Sequence, residues 1–214
     1  MMGSITVYGM AISTATQRVL AVLFEKDLPF EFVAVNLREG EHLKDHFLSI
    51  NPFGQIPAVE VDDLKLFESR AITKHIANRY SDKGSDLLCC GGAMAMVLVW
   101  MEVEAHQFDK PASRLNYELY YNPMFGKETD ALAVEENEGK LGKVLDVYER
   151  RLSETKFLAC DCFTMADLHH IPNIQLLMLT RCKEMIESRP RVRAWASLLL
   201  DRPAWSKVLA FDKR

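Results

Sequence analysis

Two short passages of this chain have the residue types to hold a small peptide. The first is Asn51-Pro52-Phe53-Gly54-Gln55-Ile56-Pro57-Ala58, where a loop ends and a strand should begin. Proline has no N–H to give a β-ladder, so it sits at strand starts, edges or bulges. An X-Pro bond placed there is a candidate cis bond, which would turn the N–H and C=O of Ile56 outward. Such groups can hold a ligand as a short added strand. The second passage is Phe67-Glu68-Ser69-Arg70-Ala71-Ile72. It sets a carboxylate and a hydroxyl at a helix start, where backbone N–H groups receive carboxylates. Together they describe a site for a small zwitterionic peptide. Each has a plainer reading as well: Pro57 as strand punctuation, Glu68 and Ser69 as ordinary helix-start residues.

The elements that must position these passages follow from periodicity. Residues 4–9 alternate and carry β-branched side chains, so they read as a strand. Residues 14–25 place Val19, Leu20, Val22, Leu23 and Phe24 at helical spacing. Ser13 stands between the two. Phe30–Val35 is a second strand, and a strand, helix and strand of this length suggest a parallel crossover. A short polar helical stretch covers Glu41 to Leu48. Residues 58–60 and 64–67 read as a hairpin around Val61-Asp62-Asp63, followed by an amphipathic helix over 69–80. The order βαβ, α, ββα defines an α/β domain over residues 1–81.

After Tyr80 the character changes. Polar, turn-rich residues open a linker over 82–90, and residues 91–214 read as an all-α domain. Residues 92–121 form a long helix with Pro111 as a candidate kink, and 127–153 form another. Thr164 is a helix N-cap with Asp167 as a capping-box variant, and Phe163 and Leu168 have the spacing of a hydrophobic staple. That helix runs to about Met178. Pro190 opens a last helix through Trp195 and Leu200, which Pro203 ends.

Bulk properties remove several function classes. The chain has 214 residues and a net charge of −4, so it carries no basic field for nucleic acid. No stretch reaches the roughly 18 apolar residues of a membrane span. No basic region followed by an apolar run marks a signal peptide. The five cysteines, Cys89, Cys90, Cys160, Cys162 and Cys182, lack framework spacing and fit reduced thiols in a cytoplasmic protein. Adjacent Cys89-Cys90 and lone Cys160-x-Cys162 lack zinc-ligand spacing, and no metal is expected. His169-His170 is expected to split between core and surface.

The sequence resembles the cytosolic glutathione S-transferases over essentially its whole length, and most closely the plant phi class. The marks are Asn51-Pro-Phe-Gly-Gln-Ile-Pro-Ala, Phe67-Glu-Ser-Arg-Ala-Ile, Glu41-His42, Phe163-Thr-Met-Ala-Asp-Leu, and Ser13 at the end of Gly9-Met10-Ala11-Ile12-Ser13. The resemblance implies a thioredoxin-like N-terminal domain, an all-α C-terminal domain, and attack of the glutathione thiolate on an electrophile. A free thiol of pKa about 8.5 is only about 3% thiolate at pH 7. Lowering its pKa by about two units raises that to roughly 75% and requires about 2.7 kcal/mol. A hydroxyl hydrogen bond to charged sulfur supplies about 1.5–3 kcal/mol. A helix N-terminus adds about 0.3–1 kcal/mol, so no general base is needed.

In the family pattern Ser13 is the residue that donates to sulfur. Thr14 could take the role, Tyr8 is a rival, and a plain N-cap is the alternative for Ser13 itself. Glu68 and Ser69 would bind the γ-glutamyl end, Ile56 before Pro57 the cysteinyl backbone, Gln55 the peptide from the same loop, and His42 the glycine carboxylate. The family commonly has Lys after that His, where this chain has Leu43, so glutathione should bind more weakly unless Lys44 or Arg18 compensates. His42 could equally be a solvated face. Ile12, Tyr117, Tyr120, Tyr121 and Phe125 are candidate walls for a hydrophobic co-substrate, with His106 beside them.

The resemblance also implies a homodimer, with Phe53 as a candidate anchor, small-molecule electrophiles as partners, and no nucleic acid or membrane. Glutathione peroxidase activity toward organic hydroperoxides is a further capacity it leaves open. A non-catalytic carrier of flavonoid-like or hormone-like molecules, and a scaffold domain, are the alternatives.

Overall fold

The computed structural model describes residues 4–88 and 92–211. Cys89 and Cys90 lie outside them. One compact unit runs to Asp86 and includes the closing helix from Pro203, and the other spans Leu87–Arg202.

The first unit is built on four strands: β1 (Ile5–Gly9), β2 (Glu31–Ala34), β3 (Ala58–Val61) and β4 (Leu64–Phe67). Their order is β2-β1-β3-β4. β1 pairs in parallel with β2 (Val7 opposite Phe32) and antiparallel with β3 (Val7 opposite Val59). The β3–β4 hairpin pairs Val61 with Leu64 across a two-residue turn, and Asp62 there has φ 52°. Helix α1 (Thr14–Glu25) makes the crossover between β1 and β2. A short 3₁₀ turn (Glu41–Leu43) and α2 (Asp45–Leu48) precede β3, and α3 (Ser69–Arg79) follows β4.

Alternation divides β1 between two faces. Ile5 and Val7 are buried on one. Tyr8 points to the other, where it packs with Phe47 of α2, Val35, Ile50 and Ala58. Val19, Leu20, Val22 and Leu23 of α1 are fully buried, as are Ile72 and Ile76 of α3. Gly9 lets the end of β1 approach α1: a Cβ there would lie 2.7 Å from Thr16 Oγ1. Chain beyond α3 is tied back to the end of α1. Ser85 Oγ donates to Glu25 at 2.6 Å, and Lys26 Nζ to the Lys83 carbonyl at 3.0 Å.

The closing helix (Pro203–Phe211) belongs to this first unit. Sequence reading ended the last helix at Pro203. Proline instead opens a new one, since its missing N–H would have no intrahelical partner at that position. Phe211 of this helix lies 5.1 Å, centroid to centroid, from Phe32 of β2.

The second unit is helical among its described residues. It comprises α4 (Met94–Val103), α5 (Asp109–Asn116), α6 (Asn122–Met124), α7 (Ala131–Arg151), α8 (Met165–Leu168), α9 (Ile171–Leu177), α10 (Lys183–Glu187) and α11 (Pro190–Leu200). The expected helix over 92–121 is one path in which two wide π turns, Glu104–Phe108 and Tyr117–Tyr121, replace a single kink at Pro111. The first wide turn ends at Phe108, and Pro111 lies within the α-helix that follows. In the second, the buried carboxylate of Glu118 accepts from Asn122 Nδ2 at 2.9 Å, the Asp130 N–H at 2.8 Å and Arg114 Nη2 at 2.8 Å. It thereby clamps the turn that leads into α7.

His169 and His170 are both fully buried, which corrects the expected split. His170 Nδ1 is 2.7 Å from the Ala166 carbonyl, so it donates, and Nε2 accepts from the Tyr148 hydroxyl at 2.9 Å. Burial pushes the Tyr148 phenol well above its ordinary range. His169 Nδ1 lies 3.9 Å from the buried Glu104 carboxylate. These groups fill the break between α8 and α9, where the sequence suggested one helix.

Asp167 closes the capping box at α8 and does more. It accepts the N–H and the hydroxyl of Thr164 at 3.0 and 3.1 Å, the Leu158 N–H at 3.0 Å and Trp195 Nε1 at 3.0 Å. Burial raises its pKa even though these four donors favour the anion. A cap alone contributes about 1 kcal/mol. Asp167→Ala leaves buried donors unsatisfied on three segments, so urea unfolding should show a loss of about 2–4 kcal/mol.

Candidate active site

The candidate site lies in the first unit, at the openings of α1 and α3. Ser13 is the N-cap of α1, with φ −71° and ψ 125°. Its Oγ accepts the Thr16 N–H at 3.4 Å. A hydroxyl that accepts through its lone pairs still has its proton to give. No acceptor for that proton occurs among the described residues. The side chain is half-buried, at the N-terminal end of a 12-residue helix. Thr14 is already inside the first turn.

Tyr8 is committed elsewhere. Its hydroxyl donates to Glu60 Oε2 at 2.6 Å. That hydrogen bond, with burial and the Glu60 charge, pushes the phenol up to about 12. The proton is thereby held through the whole pH range in which a thiolate is useful.

The loop before β3 is braced by Asn51. Its Nδ2 donates to the Gln55 carbonyl at 2.6 Å and its Oδ1 accepts the Phe53 N–H at 3.0 Å. Gly54, at φ 60°, brings this loop against the 3₁₀ turn, where a Cβ would lie 3.0 Å from the His42 carbonyl oxygen. The Ile56–Pro57 bond is cis. Ile56 precedes β3, and its N–H and C=O form no hydrogen bond among the described residues. Gln55 is exposed. Nδ1 of His42 is buried with no hydrogen-bond partner among the described residues. A buried ring nitrogen of that kind calls for a polar partner.

At α3, Glu68 is the N-cap, with φ 65° and ψ 104°. A side chain rarely adopts this backbone, which costs about 1–3 kcal/mol and recurs at ligand clamps. The Glu68 side chain is exposed. Ser69 is buried, and its Oγ accepts from Arg18 Nη1 at 2.8 Å. This bond ties the start of α3 to α1. Arg18 is itself buried, so a cation stands directly behind Ser69. Arg18, which the resemblance offers as compensation for Leu43, donates to Ser69 in the structure. Its signal was weak: an arginine inside an apolar helical stripe. Leu43 is 62% exposed. Lys44 lines a cavity of about 270 Å³ with Tyr8, Glu41, His46 and Phe47.

The proposed hydrophobic walls fall in both units. Ile12 is half-buried in the turn before α1. Tyr117 and Phe125 are exposed in the second unit. Tyr121 stacks on Phe125, with planes 10° apart and centroids 6.5 Å apart, and meets Tyr120 edge-on at 5.3 Å. His106 pairs with Glu102 at 3.2 Å. Phe53 is 69% exposed, with its ring 5.9 Å from that of Phe67.

Comparison with known proteins identifies this assembly. The family model for the glutathione S-transferase N-terminal domain matches residues 3–78, and that for the C-terminal domain matches 98–203. A glutathione S-transferase of Hyoscyamus muticus is 54% identical over 96% of this chain and 98% of its own. Glutathione transferase F7 of Populus trichocarpa superposes with a TM-score of 0.94 at 45% identity, covering 97% of this chain and 99% of that one. Glutathione S-transferase I from maize, solved in complex with an atrazine glutathione conjugate, superposes with a TM-score of 0.90 at 39% identity, covering 98% of each chain. The chain belongs to the glutathione S-transferase family. Within that family it is a plant phi-class enzyme.

Because the Tyr8 proton is held by Glu60, Tyr8→Phe should conjugate glutathione within about threefold of the wild-type rate, with an unchanged pH profile between about pH 6 and 9. Steady-state kinetics across that range checks this.

Proposed function

We propose that this enzyme conjugates glutathione to hydrophobic electrophiles, with the Ser13 hydroxyl holding the attacking sulfur as thiolate. The observation that carries the reading is the uncommitted Ser13 proton at the start of α1. Ser13 donates to the sulfur, and the helix N-terminus lends its partial positive charge to the same atom. The sulfur then forms its bond to an electrophilic carbon: in a substitution the leaving group departs with its electron pair, and in an addition, as to an isothiocyanate, the carbon–nitrogen π pair moves to nitrogen, which takes up a proton.

The other site residues hold the tripeptide. Ser69, with Arg18 behind it, and the opening turn of α3 receive the γ-glutamyl carboxylate, and Glu68 accepts from its ammonium. Ile56 offers its backbone N–H and C=O to the cysteinyl residue, and Gln55 flanks it. His42 gives its unpartnered ring nitrogen to the glycine carboxylate, with Leu43 adding no charge. Ile12 in the first unit offers the second substrate an apolar contact, and Tyr117, Tyr121 and Phe125 are the apolar candidates that the second unit carries. The atrazine glutathione conjugate held by the maize relative supports that substrate class.

Exposed Met94, Met96, Leu98 and Val99 make an apolar stretch along α4. With exposed Phe53 they support a homodimer. Cys160, Cys162 and Cys182 form no disulfide, which favours the cytoplasm. No described helix is long and apolar enough to cross a membrane.

Ser13→Ala should lower the rate of conjugation to 1-chloro-2,4-dinitrobenzene and to an isothiocyanate by about 10² or more, as loss of a preorganised donor does. Glutathione should still bind, as calorimetry would show. An active Ser13→Ala enzyme would transfer the role to Thr14. A wild type that binds glutathione without conjugating it would support a carrier.

A further inference from the structure

One pair of thiols takes no part in the chemistry above. Cys160 and Cys162 flank Asp161 in the loop between α7 and α8. Cys160 is half-buried and Cys162 exposed. Both are reduced. The loop is anchored on each side of them. Arg151 donates Nε to the Leu158 carbonyl at 2.9 Å and Nη2 to the Ala159 carbonyl at 3.1 Å. Asp167 accepts the Leu158 N–H before the pair and the Thr164 N–H after it, each at 3.0 Å. Within the loop, the Phe157 N–H spans to the Cys160 carbonyl at 3.0 Å, and the Lys156 N–H reaches Asp161 Oδ1 at 2.9 Å.

The chain bends through residues 156–162. Two trans peptide links, each a Cα step of about 3.8 Å, keep residues two apart within about 7.6 Å, and a disulfide requires a Cα separation of about 4.4–6.8 Å. Cys160 Sγ donates to the Cys162 carbonyl oxygen at 3.5 Å, which brings the first thiol to the backbone of the second residue. Cys182 provides the contrast. It is buried, and burial pushes its thiol up to about 11.

We propose that Cys160 and Cys162 form a thiol–disulfide exchange site that glutathione disulfide oxidises to a disulfide within the loop. Cys162, the more exposed thiol, loses its proton and attacks one sulfur of glutathione disulfide. A bond from Cys162 to a glutathionyl sulfur forms, the glutathione S–S bond breaks, and one glutathione leaves and takes up a proton. Cys160 then loses its proton and attacks the Cys162 sulfur, and the second glutathione leaves and is protonated. Two protein thiols have given up two electrons and two protons, and one glutathione disulfide has become two glutathione molecules. The anchored loop keeps the resolving thiol beside the mixed disulfide. The site is independent of the role assigned to Ser13.

Trypsin cleavage after Lys156 and Arg181 places Cys160 and Cys162 on one peptide and Cys182 on another. The folded protein would be incubated with glutathione disulfide, quenched in acid, alkylated, digested and weighed. The wild-type peptide should lose two hydrogens, retain no glutathionyl group, and recover its mass with dithiothreitol. Cys160→Ser should trap one glutathionyl group on Cys162. A wild-type peptide that accumulates glutathionyl groups without closing would overturn the proposal. So would one that stays reduced while the same peptide from urea-unfolded protein reacts.

Discussion

The site depends on how α1 begins. Gly9 allows β1 to end within touching distance of Thr16, and the chain turns through Met10 to Ser13 before the helix starts. The Thr16 N–H then points at Ser13 Oγ. That bond is an ordinary N-cap, and it also orients the hydroxyl. Accepting a hydrogen bond polarises the O–H, which makes it a better donor. The capping role and the proposed catalytic role of Ser13 are therefore two uses of one geometry. A larger residue at Gly9 would push the strand from the helix and move the hydroxyl away from its place.

The start of α3 is secured by different means. Glu68 holds a backbone conformation that its side chain does not favour, and the structure around it must enforce it. The Arg18–Ser69 bond contributes directly, because it fixes the first residue of α3 to a buried cation on α1. The two helix openings proposed to receive the sulfur and the carboxylate thus share a buried connection, Arg18 to Ser69. The Asn51-braced loop and the buried ring nitrogen of His42 complete the surface on which an extended tripeptide could lie.

Much of this was legible locally. Ser13, Ile56-Pro57 and Glu68-Ser69 announce themselves because caps and proline act over a few residues. The Thr164–Asp167 box was legible for the same reason, but its reach to Leu158 in the preceding loop and to Trp195 in a later helix was not, since neither lies at capping spacing. The Arg18–Ser69 bond was not legible, because its two residues lie 51 positions apart in the chain. The two histidines at positions 169 and 170 were expected to part, yet Ala166, Tyr148 and Glu104 bring polar atoms to both. The wide turns at Glu104 and Tyr117 were invisible, as no residue type specifies an extra residue in a helical turn. Pro203 was read as a stop where the fold uses it as a start, and both uses satisfy the same missing N–H.

The central claim is that Ser13 lowers the pKa of the glutathione thiol. It is tested most directly by titrating enzyme-bound glutathione through its ultraviolet thiolate absorbance, in the wild type and in Ser13→Ala. The account predicts a bound thiol about two units below its free value of about 8.5 in the wild type, returning most of the way in the variant. Equal depression in both proteins would contradict it and place the stabilising charge elsewhere.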